Sequence, residues 1–305
     1  MRKYSAVIAG NGPSLARIDY ARLPQEFDVY RCNQFYFEEK YYLGKRVQGV
    51  LFHPDIFYEQ YYTLKNLEAR GEYEFEEIYC NRMFGGVEVI KGFSCFNVMH
   101  PGVLETYKLV ERYPKIHELL RYRDLYFNEC PTSGVMLLLI AAIRGYKEMH
   151  LIGIDFYEGG DYAFEFRKSN IMELMPSFKK RAATHYHSKE LDLKIIALIQ
   201  EYFDLKLYSL SLDENSMGLQ RSPIVGNAFI LEDKPQDSIK DITIPPLENP
   251  YRDIEALPLK TMKNVHMELE GVHAALEDIC KELRCNVFKR WYLDMRRIFT
   301  KIFCK

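Results

Sequence analysis

VIAGNGPSLARIDY, residues 7–20, sets an apolar run against two glycines, a proline and then a helical pattern. This is the outline of a phosphate-binding turn, because exposed turn amides and a helix N-terminus favour anions. The first comparison is with the dinucleotide fingerprint G-x-G-x-x-G. Gly10 and Gly12 fit it, but Leu15 stands where a third glycine would let helix and strand pack closely. The fingerprint also requires an acidic residue about 20 residues on, at the tip of the second strand, to bind a ribose hydroxyl. The corresponding stretch FDVYRCNQFYF, residues 27–37, offers Asn33 and Gln34 instead. A nucleotide site is expected, but not one for NAD. The alternative is an ordinary strand-to-helix turn, with Pro13 at the first helical position and Ser14 near the cap.

Outward from this turn, to about residue 155, short β-rich runs alternate with longer helical ones, the pattern of a parallel sheet with crossover helices. YSAVIAG, DVYRCN, GVLFH, EEIYC and MHLIGID read as strands, and LKLYSLS as a later one. TSGVMLLLIAAIRGY is apolar almost without a break from Val135 to Ile143, so it predicts a helix buried on most sides, capped by Thr132 or Ser133. Helices between parallel strands share one polarity. Two helix starts and two strand ends are therefore expected to face one crevice.

Residues 156–188 break the alternation with glycines, tyrosines, basic residues and histidines, and read as a mobile lid over that crevice. ELDLKIIALIQEYF predicts a further helix. Beyond about Asp213 closely spaced prolines and glycines suggest a linker or an edge wrap. The expected organisation is an α/β nucleotide-binding domain over 1–155 and 189–259, a lid over 156–188, and a basic amphipathic helical region over 260–305. Lys281–Lys305 carries eight basic and two acidic side chains interleaved with aromatics, which suits an anionic membrane surface or, equally, a packed helix with a solvated basic face.

The 305 residues, 48% of them hydrophobic, can bury a full core in one large domain or two smaller ones. A net charge of −2 argues against a nucleic-acid binder. The seven cysteines form no C-x-x-C pair, so neither a zinc module nor a disulfide framework is suggested, and a reducing cytosol suits them. The N-terminal apolar stretch is too short for a signal peptide, and no run of 18 apolar residues occurs. In the lid, THYHS places His185 and His187 two residues apart without neighbouring carboxylates or cysteines, a weak metal signal. A histidine there can serve as general base, and Tyr157 and Tyr162 can donate hydrogen bonds to a departing phosphate.

IAGNGPSL, FDVYRCNQFYFEEKYYLGK, PTSGVMLLLIAAIRGYKEMHLIGIDFY and HSK, in that order from about Met1 to Leu210, resemble the bacterial family 42 sialyltransferases, which cap lipooligosaccharide with sialic acid. The resemblance implies a Rossmann-like, mostly parallel α/β sheet, a single nucleotide-binding glycosyltransferase domain of a GT-A-like variant, with a mobile lid. It implies an inverting, metal-independent transfer of sialic acid from CMP-sialic acid to a galactose or sialic acid hydroxyl, with no cofactor. Nucleotide contacts carry over to Asn11, Gly12, Asn33, Gln34, Thr132, Ser133, Gly134, Gly153 and Asp155. The phosphate-binding tyrosines match Tyr157 and Tyr162, and the catalytic base matches His187. The resemblance also implies a homo-tetramer. With the basic tail it places the protein in the cytoplasm, peripheral to the inner face of the membrane.

Two positions depart from the family pattern on the sugar side. His53 stands where the family commonly has asparagine, and Cys130 where it commonly has an arginine, whose multi-donor contact a cysteine does not replace. His53 also competes with His187 for the role of base. A related CMP-activated sugar, CMP-Kdo or another nonulosonate, and an inactive CMP-binding assembly protein are therefore the alternatives.

Overall fold

The computed structural model describes residues 3–53, 57–81, 100, 102–127, 129–156, 162–164, 187–212 and 217–235. Its strands are β1 (Ser5–Ala9), β2 (Phe27–Cys32), β3 (Arg46–Phe52), β4 (Glu74–Cys80), β5 (Val103–Glu105), β6 (Glu148–Ile152) and β7 (Lys206–Ser209). They form one sheet in the order β5-β4-β3-β2-β1-β6-β7, with every pairing parallel. Every strand read from the sequence is present. Only β5, three residues long, was too short to register a pattern. From the central β1 the chain steps outward to β5 and then returns to place β6 on the other side of β1. The topological switch point thus lies between β1 and β6, where open α/β sheets bind their ligands.

The helices are α1 (Phe57–Ala69), α2 (Thr106–Val110), α3 (Pro114–Phe127), α4 (Ser133–Ile143) and α5 (Lys189–Tyr202). In α4 every residue from Gly134 to Ala142 is buried, which explains its unbroken apolar run. It lies at the centre of the main core with Ile8, Tyr30 and Leu51 of the sheet and Ile195 and Ile199 of α5. In α5 Leu191, Ile195, Ile196 and Ile199 recur on one face and are buried. Its N-cap Ser188 accepts a hydrogen bond from the Leu191 amide.

The helical pattern after Pro13 yields only a 3₁₀ turn, Pro13–Arg17. Ile18 turns extended and bridges to Ser211, and the Asp19 amide donates to the Leu210 carbonyl. Those bonds to the end of β7 replace the i→i−4 bonds that a longer helix needs. The proline-rich segment after β7 is, over residues 217–235, an edge wrap. Val225 and Gly226 donate to the Ala21 carbonyl, and Tyr41 donates to that of Glu232. Of the proposed lid, residues 157–161 and 165–186 lie outside the described residues, as does the basic tail from 260 onward. No helix among the described residues is long and apolar enough to cross a membrane.

A second core is aromatic, built from Phe35, Tyr36, Tyr41, Phe52, Phe57 and Tyr73. Within it the Arg31 guanidinium pairs with Glu38 at 2.7 Å, the two side chains 1% and 0% exposed. Tyr73 donates its hydroxyl to the second Glu38 oxygen at 2.8 Å, and Arg31 lies 4.8 Å from the centre of the Phe35 ring. Lys234 of the edge wrap donates to the Tyr36 carbonyl at 2.7 Å and to the Tyr73 hydroxyl at 2.9 Å. Burial pushes its ammonium down to about 8. The pair brackets residues 33–37, the loop that carries Asn33 and Gln34. Removing one partner of a buried ion pair leaves the other unpaired, so Glu38→Ala is expected to lower stability by about 3–5 kcal/mol in a urea titration; a loss below about 1 kcal/mol would mean that water compensates Arg31.

Candidate active site

The C-terminal ends of β1 and β6 meet main chain to main chain. The Gly10 amide donates to Ile152 O and the Gly12 amide to Gly153 O, each at 2.9 Å. A Cβ on Gly10 would lie 2.1 Å from the Gly153 carbonyl oxygen, and one on Gly153, at φ +66°, 2.4 Å from the Gly10 oxygen. Neither position admits a side chain. At Gly12 a Cβ would meet Asp155 Oδ2 at 2.4 Å. The glycines that opened the sequence reading therefore serve a close approach of two strand ends, and the Gly12 amide is committed to Gly153.

Asp155 closes this junction. Its Oδ2 accepts the Ser14 amide at 2.8 Å, and its Oδ1 accepts the Ser14 hydroxyl at 2.6 Å. Ser14 Oγ in turn accepts the Gly153 amide at 2.9 Å. Ser14 thus acts across the sheet rather than as a helix cap, a role that the sequence reading missed. Its cap-like position after Pro13 carries no sign of a partner in the distant GIDF run.

Asn11 sits between the strand ends. Its Nδ2 donates to Cys32 O at 3.0 Å, and its main-chain oxygen accepts the Ala163 amide at 2.9 Å. Its buried Oδ1 has no partner among the described residues. Asn33 adopts the left-handed conformation at φ 49°, which asparagine tolerates better than most residues. Its Nδ2 donates to Ser133 Oγ at 3.1 Å and its Oδ1 accepts the His53 amide at 3.1 Å, so one side chain ties the ends of β2 and β3 to the start of α4. Gln34 beside it is buried. Gly134 lets α4 approach β6's end, since a Cβ there would be 2.8 Å from Ile154 Cγ1.

Thr132 occupies the N-cap position of α4 but directs its hydroxyl elsewhere. Its amide donates to Asp192 Oδ1 at 2.9 Å and its hydroxyl to Asp192 Oδ2 at 2.7 Å. Asp192 is wholly buried, and burial pushes its carboxyl up to about 6 despite the two bonds from Thr132. Sequence reasoning missed this residue as well, because an acid in the first turn of an amphipathic helix reads as a complement to the helix dipole.

His187 is bridged to Cys130. Its Nδ1 donates to the Cys130 carbonyl at 3.0 Å and lies 3.7 Å from the Cys130 sulfur. A carbonyl only accepts, so Nδ1 carries a proton, and in the neutral ring, which burial favours, the lone pair is on Nε2. Burial holds the imidazole below its ordinary 6.5; the Cys130 bond opposes this, and the nearby His53 adds to it. Tyr162 is partly exposed and its ring stacks on Phe164, which is buried in the aromatic core. The Ala163 bond to Asn11 pins this short segment over the first turn. Tyr157 and His185 lie outside the described residues. Among the described residues no cluster of three or more His, Cys, Asp or Glu side chains is arranged to hold a metal ion.

A parallel α/β sheet whose switch point gathers amides and hydroxyls, with an imidazole held beside the start of α4, is the frame of a nucleotide-binding transferase domain. Residues 4–269 match the family model described as Alpha-2,3-sialyltransferase (CST-I). Monofunctional alpha-2,3-sialyltransferase Cst-I from Campylobacter jejuni superposes with a TM-score of 0.76 at 37% identity, covering 86% of this chain and 95% of that one. Sialyltransferase CstII from the same organism, in complex with the substrate analogue CMP-3FNeuAc, gives 0.70 at 37% identity, covering 81% and 97%. An uncharacterized protein of Haemophilus influenzae is 37% identical over 145 residues, 45% of this chain, and the match spans only 61% of that relative's length. The chain belongs to the CST-I alpha-2,3-sialyltransferase family.

Because burial disfavours the imidazolium, the His187 ring in the free protein is expected to titrate below 6.5 when followed by its Cε1 proton resonance. His53→Asn should move the midpoint upward by removing a neighbouring charge. A midpoint at or above 6.5 would contradict the buried geometry.

Proposed function

We propose that the protein transfers sialic acid from CMP-sialic acid to a terminal sugar hydroxyl of a lipooligosaccharide-type glycan, with inversion, without a metal, and with His187 as general base. The observation that carries this reading is the His187 Nδ1 bond to the Cys130 carbonyl in a buried setting that disfavours the imidazolium, which makes Nε2 the ring nitrogen able to take a proton. The acceptor oxygen attacks the anomeric carbon from the face opposite CMP, the bond to the CMP oxygen breaks, and the acceptor proton passes to Nε2. CMP departs as a phosphate monoester, a good leaving group once hydrogen-bonded. Tyr157 and Tyr162 fit that role by resemblance, as do the first amides of α4, which have no intrahelical acceptor. Asn11 Oδ1, buried and unpaired among the described residues, fits a donor group of the nucleotide sugar.

One observation favours a second reading, a related CMP-activated sugar. At position 130, where the family commonly places an arginine, both the carbonyl and the thiol of Cys130 lie at His187, so no guanidinium reaches the sugar from there. An inactive CMP-binding protein is less consistent with an imidazole held in its basic form.

The deciding experiment is CMP release with EDTA present, with and without a lactose-type acceptor. With CMP-sialic acid, release should rise with acceptor and persist in EDTA. His187→Ala should lower transfer by roughly 10²–10⁴-fold while CMP still binds. Near-normal turnover of that variant would remove His187 from the role, and preference for CMP-Kdo would decide for the second reading.

A homo-oligomer, a tetramer by resemblance, is supported by the exposed aromatic end of α3. Tyr122, Leu125, Tyr126 and Phe127 are 52%, 59%, 74% and 51% exposed, and the Tyr122 ring meets those of Tyr126 and Phe127 at 5.2 and 5.5 Å. Attachment to the inner membrane face rests on the basic tail. Light scattering should show Tyr126→Asp as a smaller species than the parent, and truncation after Lys260 should release the protein from anionic vesicles while sparing activity on a soluble acceptor. An unchanged mass, or a truncated chain that still binds vesicles, would refute the respective assignment.

A further inference from the structure

We propose that Asp192 is a positioning residue for the His187 base, acting through Thr132 and the Cys130 carbonyl; this rests on the assignment of His187 as base. His187 directly precedes Ser188, the N-cap of α5. Ser188 O accepts the Asp192 amide at 3.0 Å, so Asp192 stands one turn from the imidazole. The Asp192 carboxylate reaches across to Thr132 and takes both its amide and its hydroxyl, at 2.9 and 2.7 Å. Thr132 follows Cys130 by two residues, with Pro131 between them, and the Cys130 carbonyl accepts His187 Nδ1 at 3.0 Å. The contacts close a ring through His187, Ser188, the first turn of α5, Asp192, Thr132, Pro131 and Cys130. Proline fixes its own φ, which removes a rotation from the shortest side of that ring.

Packing alone does not call for this residue. Asp192 is fully buried, and an apolar side chain in its place would avoid the desolvation that pushes its carboxyl up to about 6. What the carboxylate supplies is direction. It fixes the Cys130–Thr132 turn relative to α5, and so fixes the carbonyl that sets both the tautomer and the plane of the imidazole. The same turn leads into the α4 amides, so the base and the donor-binding end share one anchor.

The test is a double-mutant cycle on transfer from CMP-sialic acid to lactose, with CMP affinity measured by titration calorimetry. Asp192→Ala is expected to lower kcat by roughly 10- to 100-fold, the effect of a small misplacement of a reacting group, with CMP affinity changed far less. Asp192→Asn should recover most of the rate, since its amide oxygen still accepts the Thr132 amide. On a His187→Ala background Asp192→Ala should cost nothing further. Undiminished kcat in Asp192→Ala, or an equal loss in both backgrounds, would overturn the inference. A normal rate in His187→Ala would instead overturn the assignment of the base. If Asp192→Ala does not fold, Thr132→Val, which removes only the hydroxyl donor, is expected to lower kcat with the same lack of additivity.

Discussion

The contact between the main chains of Gly10 and Gly153 governs the rest of the site. Adjacent parallel strands normally diverge where they leave a sheet, yet here the ends of β1 and β6 stay in touch for several residues, at a separation that excludes any Cβ. Asp155 and Ser14 brace the contact from one side, and Asn11 spans to the Cys32 carbonyl from the other. The switch point thus becomes a fixed floor rather than an open gap.

The second wall is held differently. The loop after β2 is held by backbone bonds from Asn33, Phe37 and Glu38 and is flanked by the buried pair of Arg31 and Glu38 inside an aromatic shell, closed over by Lys234. Such a pair adds little net stability, whereas breaking it is costly. Its value is that the loop has one conformation, in which left-handed Asn33 reaches both β3 and α4. The edge wrap that supplies Lys234 is thereby tied to this loop.

The strands and the two long apolar or amphipathic helices were legible in the sequence, because burial on both faces of a parallel sheet writes itself as apolar runs. The turn after β1 was legible as a turn but not as 3₁₀, since what shortens it is a bridge from Ile18 to Ser211, far along the chain. The candidate site divides in the same way. Asn11, Asn33, Ser133, Gly153 and His187 were found by resemblance and do converge at one sheet edge. Ser14 and Asp192 were not found, because their meaning lies in partners 141 and 60 residues away, Asp155 and Thr132, and local pattern gives each a sufficient ordinary reading. The glycines also admit a neighbouring backbone, which local pattern does not disclose, and the amide of Gly12 bonds to it.

His187 is met at Cys130 by a carbonyl of the main chain as well as by the thiol. The carbonyl contact does not depend on which side chain stands at position 130. Any amino acid that keeps the backbone path between Glu129 and Thr132 presents the same carbonyl to the imidazole. The orientation of this ring is thus tolerant of change at position 130, a freedom that a contact made only by a side chain would not allow.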